Sequence, residues 1–301
     1  MSIRRVEIND FLVFKGDFAV DFCKGVNVII GGNGTGKTTL LKAMYSYFKG
    51  EKQLIQLFDN PIPIITGIQN TMQLISDFTG VARFVYIPEK DILEHAKGLL
   101  TFIEQKQTGF NHVYRDVLIA AQDIPTQEQS ETQKSIGQKI ADIIGGEIQW
   151  DKSDGSFYTI RTNGTRIPFA NEASGFKKFG FLGLLVASGQ ISPGVTLFWD
   201  EPENSLNPEL VPILVDILLE LSRNGVQIFI STHSEILASY FAVNRQNGDN
   251  VMFTSLYKDK DSNQIKANTS SRFDLLEPNN LTAEPVKLYE KEIEKGLGGN
   301  G

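Results

Sequence analysis

The chain contains a single cysteine, Cys23, among its 301 residues. One cysteine excludes an intramolecular disulfide and any cysteine cluster that binds a metal. This scarcity fits a reducing compartment, and we predict a small core or edge position for Cys23.

Long hydrophobic runs are also missing. The N-terminal residues lack an apolar core of signal-peptide length, and the most apolar later stretches are too short or too charged to span a bilayer. A hydrophobic content of 41% is nevertheless enough for a packed core in one large or two modest domains. We therefore expect a soluble, cytoplasmic protein with no membrane span.

Basic residues are fewer than acidic ones, 29 against 36, which gives a formal net charge of −7. Tight binding of nucleic acid over a whole surface depends on neutralising many phosphates with Lys and Arg. The composition argues against that mode of binding. A local basic patch, drawn from residues 4–24 or 161–178, stays open, so DNA is retained as a candidate partner.

The strongest positive signal is GGNGTGKTT at residues 31–39, which fits the phosphate-loop pattern G-x-x-x-x-G-K-[ST]. Glycines let backbone N–H groups wrap phosphates, Lys37 supplies a mobile cation, and the Thr38 hydroxyl can bind magnesium. Residues 26–30 predict a buried strand entering the loop, and residues 39–48 predict the helix leaving it. The predicted phosphate-binding residues are Asn33, Gly34, Thr35, Gly36, Lys37, Thr38 and Thr39.

A second set of candidate residues follows the apolar stretch 195–199, which predicts a strand ending in two carboxylates. Ligands of doubly wound folds bind at the carboxyl ends of strands. Asp200 is the candidate magnesium ligand together with Thr38. Glu201 is the candidate catalytic residue that orients and deprotonates the attacking water, and Lys37 is assigned a catalytic role beside it.

Two further signals complete the predicted site. The strand at 226–230 is followed by His233, which we predict to contact the γ-phosphate; a hydrogen-bonded structural histidine is the alternative. Ser174 is predicted to cap a helix running to about residue 189, leaving its N-terminal N–H groups free to meet an anion. An ordinary helix cap is the alternative there.

The pattern along the chain predicts an α/β fold. Residues 3–9 and 17–22 alternate as in a small antiparallel sheet, and a strand, helix, strand order from 195 to 230 is typical of a parallel sheet. Met252–Leu256 is predicted as an edge strand. A mostly helical lobe is predicted between about 91 and 146, with a capping box at Thr126 and Gln129, followed by a hairpin.

These motifs divide the chain into three parts. Residues 1–90 form the N-terminal part of a nucleotide-binding lobe with the phosphate loop. Residues 91–190 form an inserted helical lobe with the hairpin and the Ser174 helix. Residues 191–301 form the C-terminal part of the nucleotide-binding lobe, with Asp200, Glu201, His233 and the tail.

The ordered motif set resembles an ATP-binding-cassette ATPase. It comprises the phosphate loop, Ser174-Gly175, the Asp200-Glu201 strand end, the turn at 203–208, and Ser-Thr-His-Ser at 231–234. Within that group the chain is most similar to the non-transporter branch, which includes RecF, the SMC-like repair ATPases and the bacterial AAA-family ATPases related to the OLD proteins. The resemblance implies a P-loop NTPase with an ABC-ATPase-like head.

The same resemblance implies ATP as substrate, Mg²⁺ as cofactor and a homodimer or higher oligomer that closes around ATP. Ser174 and Gly175 of one protomer would reach the γ-phosphate held by Lys37 of the other, and hydrolysis would open the dimer. Two features depart from the family pattern. The signature lacks its second glycine and its glutamine, and Pro88-Glu89-Lys90 replaces the glutamine loop, which makes Glu89 a candidate site residue.

Three functions compete on this evidence. The first is an ATP-hydrolysing switch in DNA maintenance or phage defence, acting with an effector protein. The second is the nucleotide-binding subunit of a membrane transporter, for which the signature and glutamine loop should be more regular. The third is an ATPase that regulates a nuclease supplied by another chain, since the sequence after His233 shows no convincing acidic cluster for a nuclease domain.

Overall fold

The architecture is a mixed α/β fold, and the computed structural model describes residues 2–49, 72–77, 82–89, 118–122 and 128–297. The strands are β1 (Ile3–Phe11), β2 (Phe14–Asp21), β3 (Val26–Gly31), β4 (Met72–Ser76), β5 (Arg83–Ile87), β6 (Gly146–Asp151), β7 (Ser156–Arg161), β8 (Arg166–Pro168), β9 (Val195–Asp200), β10 (Gln227–Thr232), β11 (Val251–Lys258) and β12 (Ile265–Ser270). The α-helices are α1 (Lys37–Lys49), α2 (Glu131–Ile144), α3 (Ser174–Ala187), α4 (Val211–Arg223), α5 (Glu235–Asn244) and α6 (Asn280–Leu297). Residues 118–122 are also helical.

The central sheet has six strands in the order β12-β11-β3-β10-β9-β5. All neighbours are parallel except β12, which pairs antiparallel with β11. Every residue of β3, β9 and β10 is buried, because elements cover both faces of the sheet, and this explains their nearly continuous apolar runs. The predicted parallel sheet, with α4 connecting β9 to β10, is confirmed.

One strand prediction is wrong. Met252–Leu256 was expected at the edge of the sheet, but β11 lies between β3 and β12. The true edge strand, β12, has only Ile265 buried, and its remaining residues are partly or fully exposed. The sequence of β12 therefore shows no clear alternation of apolar and polar residues from which a strand could be predicted. Its hydrogen bonds to β11, rather than burial of its side chains, make it a strand.

The predicted N-terminal antiparallel sheet is confirmed, in the order β2-β1-β4. Burial alternates along β2, as expected for a sheet with one face on the core. Phe11 and Phe14 are 1% and 0% exposed, so both rings belong to the core. Neither ring is available to stack on a purine.

A buried glutamine joins this small sheet to the central one. The Gln227 side chain accepts from the Ile3 N–H at 2.8 Å and donates to the carbonyls of Ile3 at 2.8 Å and Cys23 at 2.7 Å. Its side chain amide thus supplies hydrogen bonds that a neighbouring strand would otherwise provide. The contact fixes the start of β1 against the start of β10.

We expect Gln227→Leu to lower the free energy of unfolding by about 3 kcal/mol, since each buried polar group left unpaired costs roughly 1–3 kcal/mol. Urea denaturation monitored by circular dichroism measures the change. The control is Gln138→Leu on the exposed face of α2, which we expect to stay within about 0.5 kcal/mol of wild type. Equal denaturation midpoints for the two variants would contradict the assigned role.

The helical lobe is described only in part. Its α2 begins with a capping box, but the box is formed by Ser130 and Gln133. The predicted Thr126 lies outside the described residues, and Gln129 instead donates to the Ala187 carbonyl at 3.3 Å. The predicted hairpin is confirmed as β6 and β7, with β8 as a third strand.

The chain's division at residues 90 and 190 stays a prediction. Both outer parts contribute strands to the central sheet, so the nucleotide-binding lobe is assembled from distant segments. In the parts of the chain that the structure describes, no helix has the length and apolar character needed to cross a bilayer.

Candidate functional site

The strand register brings the predicted site residues to one edge of the central sheet. β10 lies between β3 and β9, with Thr232 opposite Ile30 and Ser231 opposite Asp200. The loop after β3, the carboxylates at the end of β9 and His233 after β10 therefore meet at the carboxyl ends of parallel strands. This edge is where open α/β sheets place their ligands.

The loop between β3 and α1 has the backbone conformation that phosphate binding needs. Gly34 and Gly36 have φ values of 77° and 91°, which favour glycine. A Cβ atom on Gly36 would lie 2.7 Å from a Val13 methyl carbon, so space as well as conformation requires glycine there. The Thr35 hydroxyl donates to the Gly32 carbonyl at 2.8 Å and stabilises the turn.

Of the predicted loop residues, Asn33 and Gly34 are exposed, and Thr38 and Thr39 are half-buried. Helix α1 begins at Lys37, so its unpaired N-terminal N–H groups face the loop. Such a helix end binds anions through its N–H groups and its dipole.

Lys37 lies inside this loop and is 5% exposed. Its Nζ donates to the carbonyls of Gly31 at 2.8 Å and Gly32 at 3.3 Å. Burial lowers the pKa of the ammonium, while the charges of the carboxylates Glu201, Asp200 and Glu203 act in the opposite direction. The position and charge suit a phosphate group in the loop.

Thr38 and Asp200 form a candidate magnesium site. The Thr38 hydroxyl donates to Asp200 Oδ1 at 3.1 Å, so the two oxygen ligands converge from β9 and α1. Asp200 is 4% exposed, and a buried carboxylate favours a cation beside it. The two oxygens and the adjoining loop fit Mg²⁺, which is usually held by one or two protein oxygens together with phosphates and waters.

Asp200 is oriented by two hydroxyl groups besides that of Thr38. Ser231 Oγ donates to Asp200 Oδ1, and the Tyr86 hydroxyl donates to Oδ2 at 3.4 Å. Within the described residues no group of three or more His, Cys, Asp and Glu side chains forms a protein-only metal centre.

Glu201 and His233 contact each other, with 3.1 Å between Glu201 Oε1 and His233 Nε2. The Glu201 backbone is in the left-handed region, with φ of 48°, which is uncommon for a residue with a side chain. It is held there by hydrogen bonds from its N–H to the Ser231 carbonyl at 3.1 Å and to Ser231 Oγ at 3.3 Å. A strained residue that neighbouring strands fix in place is typical of a functional position.

The electrostatic environment suits a base at Glu201. Burial raises the pKa of its carboxyl, and the negative charges of Glu89, Asp200 and Glu203 raise it further. A raised pKa brings a carboxylate closer to the operating pH of a general base. Burial, followed by the charge of Lys37, lowers the pKa of His233, so at neutral pH Glu201 faces a neutral imidazole.

Glu89, the candidate in place of the glutamine loop, also lies at this edge. Its Oε1 accepts from Asn204 Nδ2 at 2.7 Å, which connects the segment after β5 to the turn after β9. Its charge acts on the pKa of both Glu201 and His233. Glu89 thus belongs to the cluster of charged side chains around Glu201.

The predicted signature residues, Ser174 and Gly175, lie at the start of α3. Both are described, and no hydrogen bond joins either of them to residues 31–39. The expectation that the Ser174 side chain caps its helix is wrong: Ala173 is the N-cap of α3, no side chain caps it, and Ser174 is the first helical residue. Glu172, which lies just before the helix, is held by an ion pair in which Arg161 Nη2 donates to both of its carboxylate oxygens.

The start of α3 is nevertheless connected to the segment that follows β9. Lys178 is buried, and its Nζ donates to the carbonyls of Glu201 at 3.1 Å and Pro202 at 3.3 Å. Gly175 lies against Leu206 of the turn after β9, where an added Cβ would be 3.1 Å from a Leu206 methyl carbon. The signature segment is therefore in contact with the backbone that carries Glu201 and with the turn that follows it.

Sequence reasoning missed four site residues. Tyr86 and Ser231 orient Asp200, Lys178 holds the backbone of Glu201, and Glu203 accepts from the Thr232 hydroxyl and, at 3.2 Å, from the His233 N–H. Ser231 had a usable signal, since it is the first polar residue after an apolar run. Glu203 had one too, as a carboxylate two residues beyond Glu201 in a recognised turn.

Two family models match the chain. One, described as "AAA domain, putative AbiEii toxin, Type IV TA system", matches residues 86–239, just over half of the chain. The other, described as "AAA domain", matches residues 5–152. Together they include the phosphate loop, both carboxylates of the β9 end and His233.

A short stretch also resembles a curated protein. The energy-coupling factor transporter ATP-binding protein EcfA of Methanothermobacter thermautotrophicus is 36% identical over 66 residues. The match spans 22% of this chain and about a fifth, 20%, of that relative.

Solved structures of SMC heads share the fold. The SMC head bound to the C-terminal winged-helix domain of ScpA has a TM-score of 0.56 at 13% identity, covering 91% of this chain and 99% of the other. The head domain from Thermotoga maritima gives 0.51 at 14%, covering 90% and 99%. The Pyrococcus furiosus head with an extended coiled coil, bound to the C-terminal domain of ScpA, gives 0.54 at 10%, covering 96% and 98%. At these identities the comparison establishes the fold alone.

Proposed function

This chain belongs to the AAA-domain family, as an ABC-type ATPase of the non-transporter kind, and we propose that it is an ATP-hydrolysing switch that dimerises around ATP. One observation carries the proposal: Lys37 and Thr38 of the phosphate loop meet Asp200, Glu201 and His233 at one sheet edge. Each of these groups has a distinct task in phosphoryl transfer to water.

Each of these residues has a separate role in the proposed hydrolysis of ATP. The loop N–H groups and Lys37 bind the phosphates, and Thr38 and Asp200 hold Mg²⁺, which neutralises charge on the phosphate oxygens when bound. Glu201 orients the attacking water and accepts its proton. His233, which contacts Glu201, faces the γ-phosphate.

A second copy of the chain is proposed to complete the site. Ser174 is exposed and starts a helix whose N-terminal N–H groups have no side-chain cap. Those groups suit an anion, yet within the described residues no hydrogen bond ties Ser174 to the loop of its own chain. A γ-phosphate presented by a neighbouring protomer supplies the missing ligand.

We propose a protein effector as the output of the switch, in DNA maintenance or phage defence. Support comes from the family description, which refers to a toxin system, and from two of the SMC head structures, which hold a domain of ScpA. ATP-dependent closure of two heads changes the surface they present together. An effector that binds only the closed, ATP-bound pair of heads would respond to the nucleotide state.

A transporter subunit is the second candidate, and the EcfA similarity is the observation in its favour. That similarity covers about a fifth of either chain, while the irregular signature and the Glu89 segment are unlike a transporter subunit. Copurification with a polytopic membrane protein would support the transporter function over the switch.

The decisive experiment uses the purified chain with ATP and Mg²⁺. We expect phosphate release that stops with excess EDTA, and an ATP-dependent increase in mass by light scattering. Incubation with ADP serves as the control and should leave a single protomer. Absence of phosphate release would exclude the proposed function, and phosphate release without an ATP-dependent mass change would exclude the proposed dimerisation.

A further inference from the structure

Glu203 lies where the turn at 203–208 meets the strand that carries His233. Its backbone belongs to the turn, since its carbonyl accepts from the Leu206 N–H at 2.9 Å. Its side chain reaches the end of β10. Glu203 therefore connects the turn to the end of β10, although the two segments are about thirty positions apart in the chain.

The Glu203 carboxylate fixes the backbone at His233. Its Oε1 accepts from the Thr232 hydroxyl and from the His233 N–H at 3.2 Å. The Thr232 oxygen in turn accepts from the Ser234 N–H at 2.8 Å. These bonds set the path of the chain through His233 up to Ser234, the cap of α5.

His233 depends on such an anchor, because packing holds it only in part. Its side chain is 36% exposed, and its contact with Glu201 is a single 3.1 Å approach. The backbone hydrogen bond to Glu203 fixes the point from which the imidazole extends, and the contact with Glu201 then holds the ring. A shift of that backbone would therefore move the imidazole away from Glu201.

Stability alone does not account for a carboxylate at this position. Its other oxygen, Oε2, is buried and has no hydrogen-bond partner among the described residues. A buried acceptor without a donor is destabilising. Burial also raises the pKa of Glu203, as expected for a charge held in a poorly solvated place.

The turn that carries Glu203 contacts the rest of the site. Asn204 donates to Glu89, and Leu206 lies against Gly175 of the signature segment. A displacement of the turn would therefore move the Glu203 carboxylate, and with it the backbone of His233.

We propose that Glu203 is a positioning residue that holds His233 against Glu201 and transmits the state of the 203–208 turn to that pair. The inference rests on the proposed ATPase function and extends it to regulation. Glu203 acts through His233 and makes no contact with the reacting atoms.

The test compares steady-state ATP hydrolysis by wild type, Glu203→Ala, Glu203→Gln, His233→Ala and the Glu203→Ala/His233→Ala double variant. We expect Glu203→Ala to lower kcat by about 10–100-fold with little change in KM, because a misplaced group near the reaction is costly. Glu203→Gln keeps an acceptor oxygen and should stay within about threefold of wild type. In the double variant, Glu203→Ala should add no further loss to that of His233→Ala. If Glu203 acts through His233, the two effects are non-additive.

Glu209→Ala is the matched control, because this exposed carboxylate lies just beyond the 203–208 turn. It should leave kcat unchanged. The chain has only three histidines, so the His233 ring can be assigned by NMR, and we expect its resonances to shift in Glu203→Ala but not in Glu209→Ala. If Glu203→Ala does not fold, Thr232→Val removes one donor to the same oxygen and takes its place.

The outcomes separate two failures. A wild type without ATP hydrolysis would refute the proposed function itself. An active wild type in which the Glu203→Ala and His233→Ala losses multiply, or in which the His233 resonances do not move, would overturn the role of Glu203 alone.

Discussion

Replacing Glu201 with glutamine is expected to lower kcat for ATP hydrolysis by about 10²–10⁴-fold, the range typical of a lost general base. The amide keeps the size of the side chain but accepts no proton from water. Binding of ATP should persist, because Lys37, Thr38 and the loop N–H groups are unchanged. Phosphate release measures kcat, and binding of a fluorescent ATP analogue measures affinity.

The same variant tests the dimer. If hydrolysis opens the protomers, Glu201→Gln should accumulate as an ATP-bound dimer that light scattering detects. Glu131→Gln is the control: the same chemical change at a side chain that is 93% exposed, at the start of α2, should affect neither kcat nor mass. A wild type that hydrolyses ATP beside a Glu201→Gln variant that stays monomeric with ATP would contradict the switch.

The environment of Glu201 explains why one substitution should matter so much. Burial raises its pKa, the negative charges of Glu89, Asp200 and Glu203 raise it further, and the charge of Lys37 opposes them. Its backbone is held in an uncommon conformation by Ser231. Both features place a proton acceptor at the end of β9, and neither would be needed for a carboxylate that only faces solvent.

Local sequence was sufficient for the phosphate loop. The strand predicted at 26–30 is Val26–Gly31, and the helix predicted from Thr39 begins at Lys37. The loop could be predicted because its glycines, cation and hydroxyl are contiguous. Asp200 and Glu201 could be predicted because an apolar run followed by two acids marks the end of a buried strand.

Contacts between distant segments were not predictable. The hydroxyl groups on Asp200 come from Tyr86 and Ser231, whose approach depends on the order β10-β9-β5, and sequence gives no strand order. The start of α3 was misplaced by one residue. A serine at 174 is a common cap residue, but Ala173 is the N-cap in the structure, and Glu172 just before it is held by a tertiary ion pair with Arg161.

Lys37→Ala should weaken ATP binding by about 100-fold or more, since removing one partner of a buried charge pair costs roughly 2–5 kcal/mol. Lys37 is the buried cation of the loop, and its Nζ already contacts the Gly31 and Gly32 carbonyls beside the phosphate site. Titration with a fluorescent ATP analogue gives the dissociation constant. A thermal melt confirms that the variant folds.

Lys134→Ala on the surface of α2 is the matched control, because among the described residues that ammonium is paired only with the exposed Glu131. It should bind ATP as wild type does. Lys37→Arg separates charge from shape: the planar guanidinium keeps the charge but does not fit where a compact ammonium lies, so binding should remain impaired. Unchanged ATP affinity in Lys37→Ala would mean that the loop does not hold the phosphates. The proposed roles of Asp200 and Glu201 would then be wrong as well, because both depend on a triphosphate bound in that loop.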